Sequence, residues 1–284
     1  MDILYHYCST ASFHSIIQSH ALWLSSLSLS NDTMEGKLVV RALARLAESH
    51  SLESKSFRLL QLIVGFLEEA FDGLGFCLSE AGDLLSQWRG YAGNATGVSI
   101  GFSEEYLKRL AKGNACLLHK VGYDPSAHEE RVGPTCRELT QLIKEGTLNP
   151  ARGLGILQTA GMTDQEIAAA NMANLRKELV KLGPKLLPLL LQLYLLKSPA
   201  FREEKEWRVL TMLTTDGQDE DVPSHRVVNN RIVPYLTVKL VEQSPIVEVI
   251  LGPKHGTPPK VVENFLKLNG YGLVKVRPSE ASYR

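Results

Sequence analysis

Two carboxylates and a guanidinium stand two residues apart in Glu204-Lys205-Glu206-Trp207-Arg208. If the chain from Glu204 to Leu213 is extended, side chains alternate, so Glu204, Glu206 and Arg208 share one face while Lys205, Trp207 and Val209 share the other. Carboxylates held on a rigid strand suit stabilisation of developing positive charge and proton transfer. A solvated edge strand tolerates the same pattern. Three other places carry chemistry-bearing groups. His6 lies between two tyrosines in strand-like Ile3-Leu-Tyr-His-Tyr-Cys8, with Leu4, His6 and Cys8 on one face. Ser79 ends a strand from Leu74 at what reads as a sheet rim, and Tyr91 stands three residues after Trp88 on one helical face with Arg89 beside them. Taken singly, each has a bland reading: a hydrogen-bonded strand histidine, a capping serine, a core tryptophan.

The elements that must position these groups follow from periodicity. Ser9 to Ser12 caps a helix Phe13–Ser19, Ala21–Ser25 forms a second strand, and Asn31-Asp32-Thr-Met-Glu35 opens a helix whose apolar stripe is Leu38, Val39, Ala42 and Leu46. A further helix covers about 55–71, followed by a tight Asp72-Gly73 break. Strands at 97–102 and 115–123 alternate with helices at 83–91 and 104–112. Ser126–Glu145 reads as helical despite Pro134, and residues 149–161 are irregular. Thr163 with Glu166 forms a capping box for a helix to Leu182, and Leu186–Leu196 is an apolar helix. The last third is strand-rich, at 206–213, 226–228, 232–241, 247–251 and 273–276, interrupted by a helix at 258–268. The expected fold is α+β, a mixed or antiparallel sheet built from N- and C-terminal segments of one domain over residues 1–284, with a large helical insertion at about 104–200.

Composition narrows the partners little. Lysine plus arginine equal aspartate plus glutamate at 31 each, which leaves no net field for nucleic acid or an anionic surface. The 44% hydrophobic content supports a sizeable core. Cysteines 8, 77, 116 and 136 have neither paired nor zinc-finger spacing, and the start lacks a basic, then apolar, then small-residue pattern, so a cytoplasmic protein with free thiols is expected. The Leu186–Leu196 run is shorter than the roughly 20 residues a bilayer requires. No metalloprotease, phosphate-loop, nucleophile-elbow or dinucleotide motif is present, and no metal is expected.

The ordered pieces L-Y-H-Y, N-D-x-x-E, C-x-S-E, W-R-x-Y, G-V-S-I-G-F, K-S-x-x-F-x-x-E-x-E-W-R and V-I-L-G-P-K, spread over nearly the whole chain, resemble a large, mostly bacterial family known as a domain of unknown function. A looser resemblance is to ADP-ribosyltransferases, which place a histidine or arginine on the first core strand, a hydroxyl residue on a middle strand and E-x-E on a late one. His6, Ser79 and Glu204-x-Glu206 occur in that order. The resemblance implies NAD as substrate, a protein or nucleic-acid acceptor, and a role as toxin or defence effector. It makes Glu206 the residue that grips the ribose 2′-hydroxyl and stabilises an oxocarbenium-like centre, with Glu204 orienting or deprotonating the acceptor. His6 would bind a ribose hydroxyl, Ser79 would orient glutamate or ribose, Tyr91 or Tyr7 would stack on nicotinamide, and Arg208 joins this cofactor-binding set. The usual S-T-S or paired-tyrosine signature is missing. Two other readings stand beside it: a non-catalytic binding or sensor domain in which Trp88, Arg89, Glu206 and Arg208 form a structural network, and a metal-dependent nuclease using Asp32, Glu204 and Lys205.

Overall fold

A computed structural model describes residues 2–29, 37–49, 54–146, 163–215, 222–228, 230–240, 245–272 and 274–283. The proposed helix start at Asn31, Asp32 and Glu35 and the irregular stretch 149–161 lie outside them. The chain divides into two compact units, one of residues 1–31, 72–121 and 199–284 and one of residues 32–71 and 122–198.

The first unit is built on a ten-stranded sheet, and the fold is α+β. Its strands are β1 (Ile3–Cys8), β2 (Ala21–Ser26), β3 (Phe71–Ser79), β4 (Val98–Ser103), β5 (Leu117–Lys120), β6 (Glu206–Thr214), β7 (Ser224–Val228), β8 (Arg231–Lys239), β9 (Ile246–Leu251) and β10 (Lys275–Pro278). They run in the order β10-β9-β4-β1-β3-β2-β8-β7, with β6 joined to β3 and β5. The β1/β4, β2/β8 and β4/β9 pairs are antiparallel, whereas β10 lies parallel to β9. Every residue of β4 is buried, as its apolar, small-residue sequence Val-Ser-Ile-Gly-Phe-Ser allows in mid-sheet. Its Leu4-facing side joins one core with α1 (Thr10–Ser19), which contributes Phe13, Ile16 and Ile17, and with α5 (Glu104–Gly113), which contributes Tyr106, Leu107 and Leu110. Burying each such side chain stabilises the fold by about 1.5–3 kcal/mol.

Asp72-Gly73 departs from expectation, for both residues belong to β3 rather than to a turn. The Gly73 carbonyl accepts from Leu27 N at 2.8 Å and Asp72 from Ser28 Oγ at 2.8 Å, so partners following β2 keep the segment extended.

The second unit is helical: α2 (Lys37–Ser49), α3 (Ser54–Ala70), α6 (Pro125–Lys144), α7 (Asp164–Lys181) and α8 (Gly183–Leu193). It takes in residues 32–71 as well as 122–198, while α5 and β5 belong to the sheet unit. The Thr163/Glu166 capping box is formed, and α6 runs through Pro134 without a break. Arg45 of α2 pairs with Glu129 of α6. Among the described residues no helix is long and apolar enough to cross a membrane.

Candidate functional site

The E-x-E segment is not one continuous strand. Pro199–Glu204 winds as a 3-10 turn, Lys205 sits at φ +44°, and β6 begins only at Glu206. A left-handed lysine costs about 1–2 kcal/mol, and the neighbouring backbone holds it there. Ser79 Oγ donates to the Glu204 carbonyl at 2.6 Å, and Glu80 N donates to the Lys205 carbonyl at 3.2 Å. Ser79 Oγ also accepts from Ala81 N at 3.1 Å. The hydroxyl expected to orient glutamate or ribose thus joins the end of β3 to the backbone of Glu204 ahead of β6.

Within β6, alternation does put Glu206 and Arg208 on one face. Arg208 Nε meets Glu206 Oε1 at 2.7 Å and Nη2 meets Oε2 at 3.2 Å, with the two residues only 5% and 2% exposed. Both carboxylate oxygens are thus held by one guanidinium fork. Glu204, outside the strand, is buried as well and accepts from Tyr91 Oη at 3.0 Å. Tyr91 ends α4 (Leu85–Tyr91) and is exposed.

His6 and Tyr7 do not join this group. The regular β1/β4 register, Tyr5 opposite Gly101 and His6 opposite Ile100, turns His6 away from Tyr5 and Tyr7. His6 stacks on Phe76 at 4.0 Å between ring centroids, and its Nδ1 is 2.8 Å from the Cys77 carbonyl. Burial, assisted by the Arg226 charge and against the Cys77 bond, pulls its pKa down to about 4. Tyr7 Oη donates to the Ala81 carbonyl at 2.7 Å and accepts from Leu84 N at 2.8 Å, and its ring packs edge-on to Trp88 at 4.9 Å. It organises the turn into α4. Trp88 donates to Asp83 at 2.7 Å. Burial acts to raise the Asp83 carboxyl, but Ser279, Trp88, the Glu280 amide and Arg277 together hold it below its ordinary range.

On the Tyr5 side lies a cleft of about 540 Å³ lined by Asp2, Ile3, Leu4, Tyr5, Glu80, Glu104 and Trp207. Glu80 accepts Trp207 Nε1 at 2.8 Å and pairs with Lys120, and Glu104 pairs with Lys108 at 2.6 Å. Burial acts to raise the Glu80 carboxyl, and the Lys120 and Trp207 donors more than offset it, so Glu80 titrates below its usual range. Tyr5 donates to Glu248 at 2.6 Å, and Arg277 backs Glu248 at 3.2 Å. Burial first, then Glu248, pushes the Tyr5 phenol upward. The ring fits because Gly82 and Gly101 lack side chains: a Cβ at either would stand 2.5 or 3.1 Å from Tyr5 Cε1. Sequence reasoning passed over Tyr5, Glu80 and Trp207. Glu80 stands in C-x-S-E, and Tyr5 and Trp207 alternate with residues that were singled out, which is the signal that points to them.

Among the described residues no group of three or more His, Cys, Asp or Glu side chains is placed to hold a metal ion. Asp32, the carboxylate proposed to act with Glu204 and Lys205 in a nuclease, lies outside those residues.

With this geometry in hand, comparison places residues 87–209 of the chain in similarity to the family described as Protein of unknown function (DUF2971). The matched span includes Tyr91, Glu204, Glu206 and Arg208, while His6, Tyr7 and Ser79 fall before it. No curated protein matches the chain. No solved structure matches it either.

Proposed function

We propose that the sheet unit is a non-catalytic binding domain that takes a cationic ligand in the cleft beside Tyr5, with the Glu206–Arg208 pair acting as scaffold. The observation that carries this reading is the bidentate Arg208 fork on Glu206, 2.7 and 3.2 Å, in a buried setting. A carboxylate already neutralised on both oxygens is a poor stabiliser of an oxocarbenium-like centre. The cleft presents Asp2, Glu80 and Glu104 beside the Trp207 indole and Tyr5 ring, which suits an amine with an apolar body that takes the place of Lys120 on Glu80 and over the indole and of Lys108 on Glu104. Calorimetric titration of spermidine, with citrate as the control anion, tests this. Saturable spermidine binding is expected, weakened about tenfold in Glu80→Gln, the equivalent of one charge-assisted hydrogen bond. Equal affinity in the two proteins, or binding of citrate instead, contradicts it.

One observation favours a second reading, ADP-ribosyl transfer from NAD to a protein or nucleic-acid acceptor by a toxin or defence effector. Glu204, Ser79 and Tyr91 come together at one place, and Tyr91 reaches solvent. Glu204 rather than Glu206 would then face the ribose. Nicotinamide released from NAD by the wild type and not by Glu204→Gln supports this reading; its absence alongside spermidine binding supports the first. A cytoplasmic setting accords with both, given four free thiols.

A further inference from the structure

We propose that the seat occupied by Tyr283 is a binding site for an anionic aromatic group of the nucleoside monophosphate class, with the chain's own phenol ring as its plug. Two cations converge on that ring. The Arg89 guanidinium carbon lies 4.8 Å, and Lys254 Nζ 3.9 Å, from its centroid. Neither forms an ion pair with a carboxylate among the described residues. Both cations are exposed, and each contact with the ring contributes only about 0.5–1 kcal/mol, less than the charge-assisted hydrogen bonds that an anion held between them would make.

The backbone below is strained. Gly93, Asn94 and Ala95 are left-handed in succession, with φ of +56°, +54° and +71°. Ala95 has no glycine freedom there, and such conformations persist where surrounding contacts enforce them. The enforcing bonds are Ala95 N to the Trp88 carbonyl at 2.9 Å, Gly97 N to Ala92 at 2.8 Å and Lys254 N to Ala95 at 2.9 Å. They hold Arg89, Asn94 and Lys254 around one point. Asn94 Oδ1 accepts from Tyr283 Oη at 2.7 Å, and the ring packs against the buried cluster of Tyr7, Trp88, Ala92, Ala95 and Ile250.

The seat therefore offers an apolar wall for a ring, an amide for its polar edge and two cations for an anion. Tyr283 satisfies the first two and leaves the cations uncompensated. Its segment stays anchored without the ring, because Asp83 accepts from Ser279 Oγ and from Glu280 N at 2.7 Å. A ligand with both ring and phosphate displaces Tyr283 by completing all three contacts. The inference is independent of the cation cleft, which shares none of Arg89, Asn94, Lys254 and Tyr283.

The test is calorimetric titration of AMP, adenosine and inorganic phosphate into the full chain. Removing the plug by Tyr283→Ala is expected to tighten AMP binding about tenfold, the factor by which an occluding side chain lowers apparent affinity when the open state is a tenth populated. Adenosine and phosphate should each bind about tenfold more weakly than AMP, and adding Arg89→Gln and Lys254→Gln should cancel the gain. Tyr283→Leu, which keeps apolar packing but has no ring for the cations, serves should the alanine variant fold poorly, and should also bind AMP more tightly than wild type. Unchanged AMP affinity in the folded plug variants, affinity indifferent to Arg89 and Lys254, or adenosine binding as well as AMP overturns the proposal.

Discussion

Arg208 reaches both oxygens of Glu206 because the two are i and i+2 on one strand face, a relation that alternation alone predicts. Each ion costs several kcal/mol to desolvate, and the fork geometry offsets this only while both partners remain. Glu204 was less legible. A lysine at position 205 carries none of the glycine or asparagine signals of a left-handed residue, so the break between Glu204 and Glu206 is set by the bonds from Ser79 and Glu80 across the fold. The separation of His6 from Tyr7, by contrast, follows directly from adjacency in a strand. His6 also sets a pH dependence. A base whose folded pKa is depressed to about 4 from 6.5 favours folding at pH above 6.5, and that contribution falls away as pH drops toward 4. Urea unfolding at pH 7 and at pH 4.5 should therefore show the wild type losing about 2 kcal/mol more than His6→Phe over that interval, on the scale of 1.4 kcal/mol per pH unit. Equal losses would mean that the histidine is not held neutral.

Elements were read well where local signals decide them and poorly where long-range pairing does. The capping box at Thr163 and the strand expected over 97–102 are written in adjacent residues, and both form, the strand as Val98–Ser103. Asp72-Gly73 carries a turn signature, yet strand pairing overrides it. Similarly, the strand expected over 115–123 shrinks to Leu117–Lys120, the stretch in register with Leu210–Trp207 of β6. The approach of β1, α4 and β4 depends on one glycine. A Cβ at Gly97 would stand 2.1 Å from the Cys8 carbonyl and 2.9 Å from the Ala92 carbonyl, both backbone atoms. Gly97→Ala should lower stability by about 3 kcal/mol, the upper range for overpacking, as measured by thermal unfolding; a change below about 1 kcal/mol would show that β1 and the 92–97 turn separate freely.

At the scale of the whole molecule, the α+β class was legible from strands at both ends and helices between them, whereas the membership of the helical unit was not. Residues 32–71 join it with 122–198, and an amphipathic stripe such as Leu38, Val39, Ala42 and Leu46 buries equally well against any apolar partner. The site divides in the same way. Motif residues that share a strand or a turn were paired from sequence, while the cleft is made by residues brought together from positions 2–5, 80, 104 and 207. The central claim is that the cleft beside Tyr5 binds while Glu206 and Arg208, closed on each other within β6, take no part in binding. It is tested most directly by titrating spermidine into the double variant Glu206→Met, Arg208→Met, in which a buried ion pair gives way to apolar side chains of similar volume at little expected cost to stability. The account predicts a folded protein with spermidine affinity within about twofold of wild type. A folded double variant that no longer binds spermidine would place the pair in the binding site and contradict it.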